Sequence, residues 1–392
     1  MAHIDFSTLD GEHLLTTMQQ EAAAHGVSDL HLSPQKSDVR LEWRLHGILL
    51  TLASISHPAY VDLLRRVKFL AKLKLNITNI PQDGQYVFAV SSSGLPALSN
   101  VEGRVAGDET RNSQPATNRT VNVRVATLPS RFGEALTLRL LDPDRGILPL
   151  VKLGFPAEME KSLKELVEIP NGLILVTGPT GSGKTTTLYA LLSTIIGKER
   201  NIITLEDPVE YELPGIIQSE IDPDHDFSFA TGLRSILRHD PDVILVGEIR
   251  DLETAQTAVN AALTGHLVLS TLHTNSAVEA IPRFLSMGVS PYTLAPAFRA
   301  VLAQRLVRTV TDECKTSGTC DPGAHATYGG QMVLPELLVI SPAIQQLILN
   351  LSDASAIETQ AKKEGFRTMK QWGEVVVSEK RTTKEEVARV TG

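Results

Sequence analysis

The chain is 392 residues long, enough for two domains with cores of their own. Its formal net charge of -8 weighs against free nucleic acid as the main partner. No segment approaches the roughly 18 to 20 apolar residues that span a bilayer. The start, Met1-Ala2-His3-Ile4-Asp5-Phe6, has neither a basic stretch nor an apolar core, so no secretory signal is expected. Two cysteines, Cys314 and Cys320, are too few for a disulfide scaffold and fit a reducing cytoplasm.

From about residue 25 to 142, short apolar runs alternate with turns. Asp29-Leu30-His31-Leu32, Val39 to Leu45 and Val121 to Val125 have the period-two pattern of half-buried strands. Ala59 to Leu75 carries Val61, Leu64, Val67, Leu70 and Leu73 at helical spacing, with arginines and lysines opposite. Ser91 to Thr120 is rich in Ser, Gly, Asn and Pro and reads as a long mobile loop interrupting a hairpin. Asp142-Pro143-Asp144-Arg145-Gly146 is the candidate linker, placing a small α+β domain at 1–143 and a second domain at 144–392.

In the second half, strand and helix alternate in the manner of an α/β protein with a parallel sheet. Gly172 to Thr177 is an apolar run that reads as a buried strand. Gly178-Pro179-Thr180-Gly181-Ser182-Gly183-Lys184-Thr185 follows it, and Thr186 leads on into a predicted helix. A glycine loop between strand and helix turns backbone N–H groups toward phosphate oxygens, and the helix N-terminus adds favourable partial charge. Lys184 is placed to reach the β and γ phosphates, and the Thr185 hydroxyl to hold magnesium. The chain is therefore expected to bind ATP or GTP. Strands at 201–205, 243–246 and 266–271, and helices at 228–239 and 252–263, follow, with short helices after Ser341.

Open α/β sheets bind ligands at the carboxyl ends of their strands. Three segments deliver polar residues there: Glu206-Asp207-Pro208-Val209-Glu210, Gly247-Glu248 and Leu272-His273-Thr274. Magnesium keeps several waters, which carboxylates orient. Glu206 and Glu248 are the candidates for that role, and either can activate the attacking water. The second magnesium motif of P-loop proteins usually ends in Asp-Glu. Here it ends in Gly-Glu, so Glu206 or Asp207 is expected to replace the missing carboxylate.

The chain resembles the assembly ATPases of type II secretion and type IV pilus systems, within the wider secretion-ATPase superfamily. The resemblance rests on Ser28-Asp29-Leu30-His31, Pro81-Gln82-Asp83-Gly84, Arg124 to Pro129, Gly133-Glu134 and the phosphate loop. It continues through the acidic box at 206–210, Leu233 to Asp242, Gly247 to Asp251 and the histidine box from Thr264 to Thr274. It implies a RecA-like P-loop domain preceded by a small α+β (PAS-like) domain, and a hexameric ring at the cytoplasmic face of a bacterial inner membrane. ATP and magnesium would be bound, with a polytopic membrane platform protein as partner and no stable nucleic-acid binding. The resemblance makes Glu206 the general base, Glu248 a magnesium holder and His273 a neighbour of the γ-phosphate. It also brings Arg124 and Arg139 to the phosphates from the strand edge of the small domain.

Three departures from the family pattern stand out. Only some two dozen residues precede Val27, so the usual N-terminal docking domain is expected to be absent. The paired Cys-x-x-Cys zinc ligands are not reproduced, with Thr311 where the first cysteine belongs, and no zinc site is expected from Cys314, Cys320 and His325. Ser28 to Leu32 and the short length also suit the retraction ATPases. Gln82-Asp83-Gly84, Gly133-Glu134 and Leu302 to Arg308 favour assembly, and a conjugation-type nucleic-acid or protein translocation ATPase of the same superfamily is the other alternative.

Overall fold

Alternating apolar and polar residues organise the first half of the chain into strands, and continuous apolar runs do so in the second. The computed structural model describes residues 6, 9, 11–90, 119–317 and 327–392. The chain divides into two units, Met1–Gly146 and Ile147–Gly392.

In the first unit, β1 (Val27–Pro34), β2 (Val39–Leu45), β3 (Ile48–Ile55), β4 (Gln82–Val90), β5 (Arg119–Ser130) and β6 (Gly133–Leu141) form one sheet. Its order is β3-β2-β1-β6-β5-β4, and every neighbouring pair is antiparallel. Period-two alternation gives it one inward face: Val121, Val123 and Val125 of β5 are buried, while Asn122 and Arg124 point the other way. Helices Gly11–His25 and His57–Leu70 contribute Leu14, Met18, Tyr60, Leu63 and Val67 to the same core.

The second of these helices differs from expectation. It ends at Leu70, and it buries Tyr60, Leu63, Val67 and Lys68 while Val61 is exposed. Counting apolar residues alone gave no weight to Tyr60 or Lys68, so the predicted stripe was rotated. The Lys68 ammonium lies 2.6 Å from Glu134 and donates to the carbonyl of Ile77 at 2.8 Å. Lys72 adopts a left-handed φ of 57°, which closes the helix. β4 and β5 pair from Gln82↔Thr127 to Val90↔Arg119. The segment read as a loop through Thr120 therefore yields its last two residues to β5, and 91–118 lie outside the described residues.

In the second unit the strands are β7 (Gly172–Thr177), β8 (Ile202–Glu206), β9 (Ile217–Glu220), β10 (Val243–Val246), β11 (Leu267–Leu272), β12 (Phe298–Val310) and β13 (Tyr328–Val339). They lie in the order β13-β12-β7-β11-β10-β8-β9. All neighbours are parallel except β12 and β13, so the expected parallel sheet carries one antiparallel strand at its border. β7, β8, β10 and β11 are buried along their whole length, as strands covered on both faces must be. The β12–β13 pair had no counterpart in the sequence reading. Phe298 to Ala303 is a nearly continuous apolar run, which periodicity cannot assign to strand or helix.

Candidate nucleotide site

Because β7, β8, β10 and β11 are parallel and in register, with Val246 opposite both Leu205 and Ser270, and Leu272 opposite Thr177, their carboxyl ends meet at one sheet edge. Gly178, Glu206, Gly247-Glu248 and His273 therefore emerge side by side. Side chains tie the tips together: Thr271 Oγ1 donates to the carbonyl of Gly247 at 2.7 Å, and Ser270 Oγ to that of Val246 at 2.7 Å.

The phosphate loop runs from β7 into the helix Lys184–Ser193. Gly178 has φ 145°, and a Cβ there would stand 2.5 Å from the carbonyl of Gln304 and 2.6 Å from Ser182 Oγ. Only glycine fits. Gly183 caps the helix with φ 84°. The Lys184 ammonium donates to the carbonyls of Gly178 and Pro179, both at 3.0 Å. Burial lowers its pKa; Glu248 opposes that shift and Arg305 adds to it. The buried Ser182 hydroxyl has no hydrogen-bond partner among the described residues, so the loop holds an unused polar group as well as a cation. A phosphate group fits this cradle.

Glu248 is mostly buried, pairs with Arg250, and lies 3.9 Å from His273 Nε2. The pKa of His273 is lowered, by partial burial first and by the Lys184 charge second. Glu206 ends β8 and is buried; its carboxylate accepts from Tyr189, from Thr204 at 2.6 Å and from Gln218 at 3.2 Å. Asp207 is exposed. Thr185 stands in the first turn of the helix after the loop, Glu206 ends β8 and Glu248 follows β10; oxygen donors of these kinds suit magnesium. A cleft of about 590 Å³ opens beside the loop, lined by Gly178, Pro179, His273, Thr274, Asn275 and Glu279 among others.

The two candidate arginines lie in the first unit. Arg124 and Arg139 are fifteen positions apart in sequence yet directly opposite each other across β5 and β6. These are interior strands of the sheet, which corrects the expected position at a strand edge. Arg139 Nε donates to Asp29 at 2.9 Å. Cys314 is disulfide-bonded. Cys320 and His325, the other zinc candidates, lie outside the described residues.

Three residues escaped the sequence reading. Gln304 on β12 donates to the carbonyl of Ser182 at 2.6 Å and accepts from Thr187 at 2.9 Å, clasping the phosphate loop from beneath. A glutamine inside a buried apolar run was the available signal. Tyr189 and Gln218 both hold Glu206, and nothing local marks them.

The sequence profile described as type II/IV secretion system protein matches residues 9–98 and 95–389. Type II secretion system protein HxcR of Pseudomonas aeruginosa is 39% identical over 385 residues, covering 96% of this chain and 76% of that protein. Type II secretion system ATPase E of Vibrio cholerae is also 39% identical, over 402 residues, with 96% and 75% covered. Among solved structures, the pilus retraction motor PilT with bound ADP is 30% identical, with a TM-score of 0.66 and 96% of each chain covered. The Yersinia pseudotuberculosis ATPase DotB, at 22% identity and TM-score 0.74 over 100% of this chain and 96% of its own, shares the fold. With a phosphate loop built to hold a nucleotide and matches of this extent, the chain belongs to the type II/IV secretion system protein family, as one of its P-loop ATPases.

Proposed function

We propose that this ATPase hydrolyses ATP with magnesium as a hexameric ring and so drives assembly of a filament of the type II secretion or type IV pilus kind. The observation that carries the reading is the meeting of Lys184, Glu206, Glu248 and His273 at one sheet edge. Lys184 binds the β and γ phosphates together with backbone N–H groups of the loop from Thr180 to Thr186. Thr185, with Glu206 and Glu248 partly through water, holds magnesium, which supplies charge neutralisation at the phosphates. Glu206 takes the proton of the attacking water, His273 faces the γ-phosphate, and Arg124 and Arg139 bring guanidinium charge to the phosphates.

Among the described residues, no helix is long and apolar enough to cross a membrane. At the cytoplasmic face of an inner membrane, the ring docks on a polytopic membrane platform protein. The 30% identity to a retraction motor supports a second reading, filament disassembly. The higher identity to type II secretion relatives favours assembly.

The test is to replace the native gene copy with the Lys184→Ala variant and measure surface filaments and secreted protein. Assembly predicts loss of the product, and retraction predicts filaments that accumulate. Wild-type levels of both would overturn either reading. Mass measurement with a non-hydrolysable ATP analogue tests the hexamer.

A further inference from the structure

The carboxylate proposed as the base does not stand alone at its strand end. Oε1 of Glu206 accepts from Thr204 on its own strand at 2.6 Å and from Gln218 on β9 at 3.2 Å. Its other oxygen, Oε2, accepts from the hydroxyl of Tyr189. Gln218 is fixed in turn, donating to the carbonyl of Tyr211 at 3.1 Å and accepting from the N–H of Leu213 at 2.7 Å. Tyr189 is fully buried, with its ring edge-on to Tyr211 at 6.5 Å.

We propose that Tyr189 is a positioning residue for Glu206, setting its carboxylate against the phosphate seat. This rests on the reading of Glu206 as the base. Tyr189 stands five residues after Lys184 on the same helix. The lysine that seats the phosphates and the hydroxyl that holds the base are thus parts of one rigid element. A base must be held to within about 0.5 Å to act well. Thr204 and Gln218 secure one oxygen, and the phenol fixes rotation about the carboxylate axis by securing the other.

A tyrosine that only filled space would behave differently from one that aims a carboxylate. Tyr189→Phe keeps the ring and removes the hydroxyl. Turnover is expected to fall about 10- to 100-fold, in line with small misplacements of reacting groups. KM for ATP–magnesium and affinity for a fluorescent ATP analogue should stay within about twofold, since no phosphate contact is touched. In a Glu206→Gln background the same change should cost nothing further, because the group it aims is gone.

Unchanged kcat in Tyr189→Phe, or a full loss that persists in the Glu206→Gln background, overturns the inference. Should Tyr189→Phe fail to fold, Gln218→Met removes one of the two donors to Oε1 and must show the same split between kcat and KM. Substantial turnover in Glu206→Gln alone would instead overturn the assignment of the base. An inactive Glu206→Gln beside a fully active Tyr189→Phe overturns the positioning role and leaves that assignment standing.

Discussion

Gln304 donates its side-chain amide to the carbonyl of Ser182 at 2.6 Å, joining β12 to the phosphate loop. It also accepts from Thr187 at 2.9 Å. Gln304→Leu keeps most of the volume but strands a carbonyl and a hydroxyl. A buried group left unpaired costs about 1–3 kcal/mol. The variant should show a lower thermal midpoint and several-fold weaker nucleotide binding. Calorimetry and equilibrium binding check both, and no change in either would contradict a supporting role.

Lys184→Ala removes the loop's positioned cation. Binding of ATP–magnesium should drop below detection in titration calorimetry, with the fold intact by circular dichroism. Near-native affinity would sink the phosphate-loop assignment.

Glu206→Gln and Glu248→Gln keep volume and lose charge. Both should bind ATP yet lose about 10²- to 10⁴-fold in turnover, the range typical of general-base loss. If both retained more than half the native rate, the wrong carboxylates have been chosen.

Arg124→Ala and Arg139→Ala should bind nucleotide but hydrolyse it slowly. Guanidinium groups at transferring phosphates are worth about 10³- to 10⁵-fold. Arg139 also holds Asp29, so Asp29→Ala is the control that separates lost packing from lost charge at the phosphates. Turnover should rise with protein concentration for the full chain and be weak for a chain beginning at Ile147. Full, concentration-independent activity in that shorter chain would exclude the role.

The last helix, Lys384–Thr391, is pinned by Glu386. Burial alone would raise the pKa of this carboxyl. Hydrogen bonds from Arg389 at 2.6 Å and Arg308 at 2.7 Å outweigh that and hold it at about 2, against an ordinary 4.5. A depressed folded pKa gives stability that is complete above the unfolded value and is lost as pH falls toward the folded one. Native protein should therefore weaken between about pH 4.5 and 2. Glu386→Gln should cost about 2–4 kcal/mol at pH 7 and show a flatter profile in that window. Urea midpoints at pH 7 and 3 measure the difference.

The phosphate loop was legible because its requirements are local. Gly178 and Gly183 need left-handed torsions, and Lys184 needs a helix start directly after them. The inner parallel strands were legible too, since strands covered on both faces read as unbroken apolar runs. The helix at 57–70 was found but rotated, because an apolar count cannot foresee a lysine buried against Glu134, 66 positions away. The β12–β13 pair was missed because a short apolar run suits either element until its neighbour is known.

The chain itself determined which chemistry-bearing residues exist and which strand or loop carries them. Only the tertiary structure decided their company. Gln304 reaches Ser182 across 122 positions, Arg139 reaches Asp29 across 110, and Tyr189 meets Glu206 only because β8 and the phosphate-loop helix pack together. Backbone torsion and periodicity are properties of neighbours along the chain. Hydrogen-bond pairing depends on strand order and register, which are settled when the whole core packs.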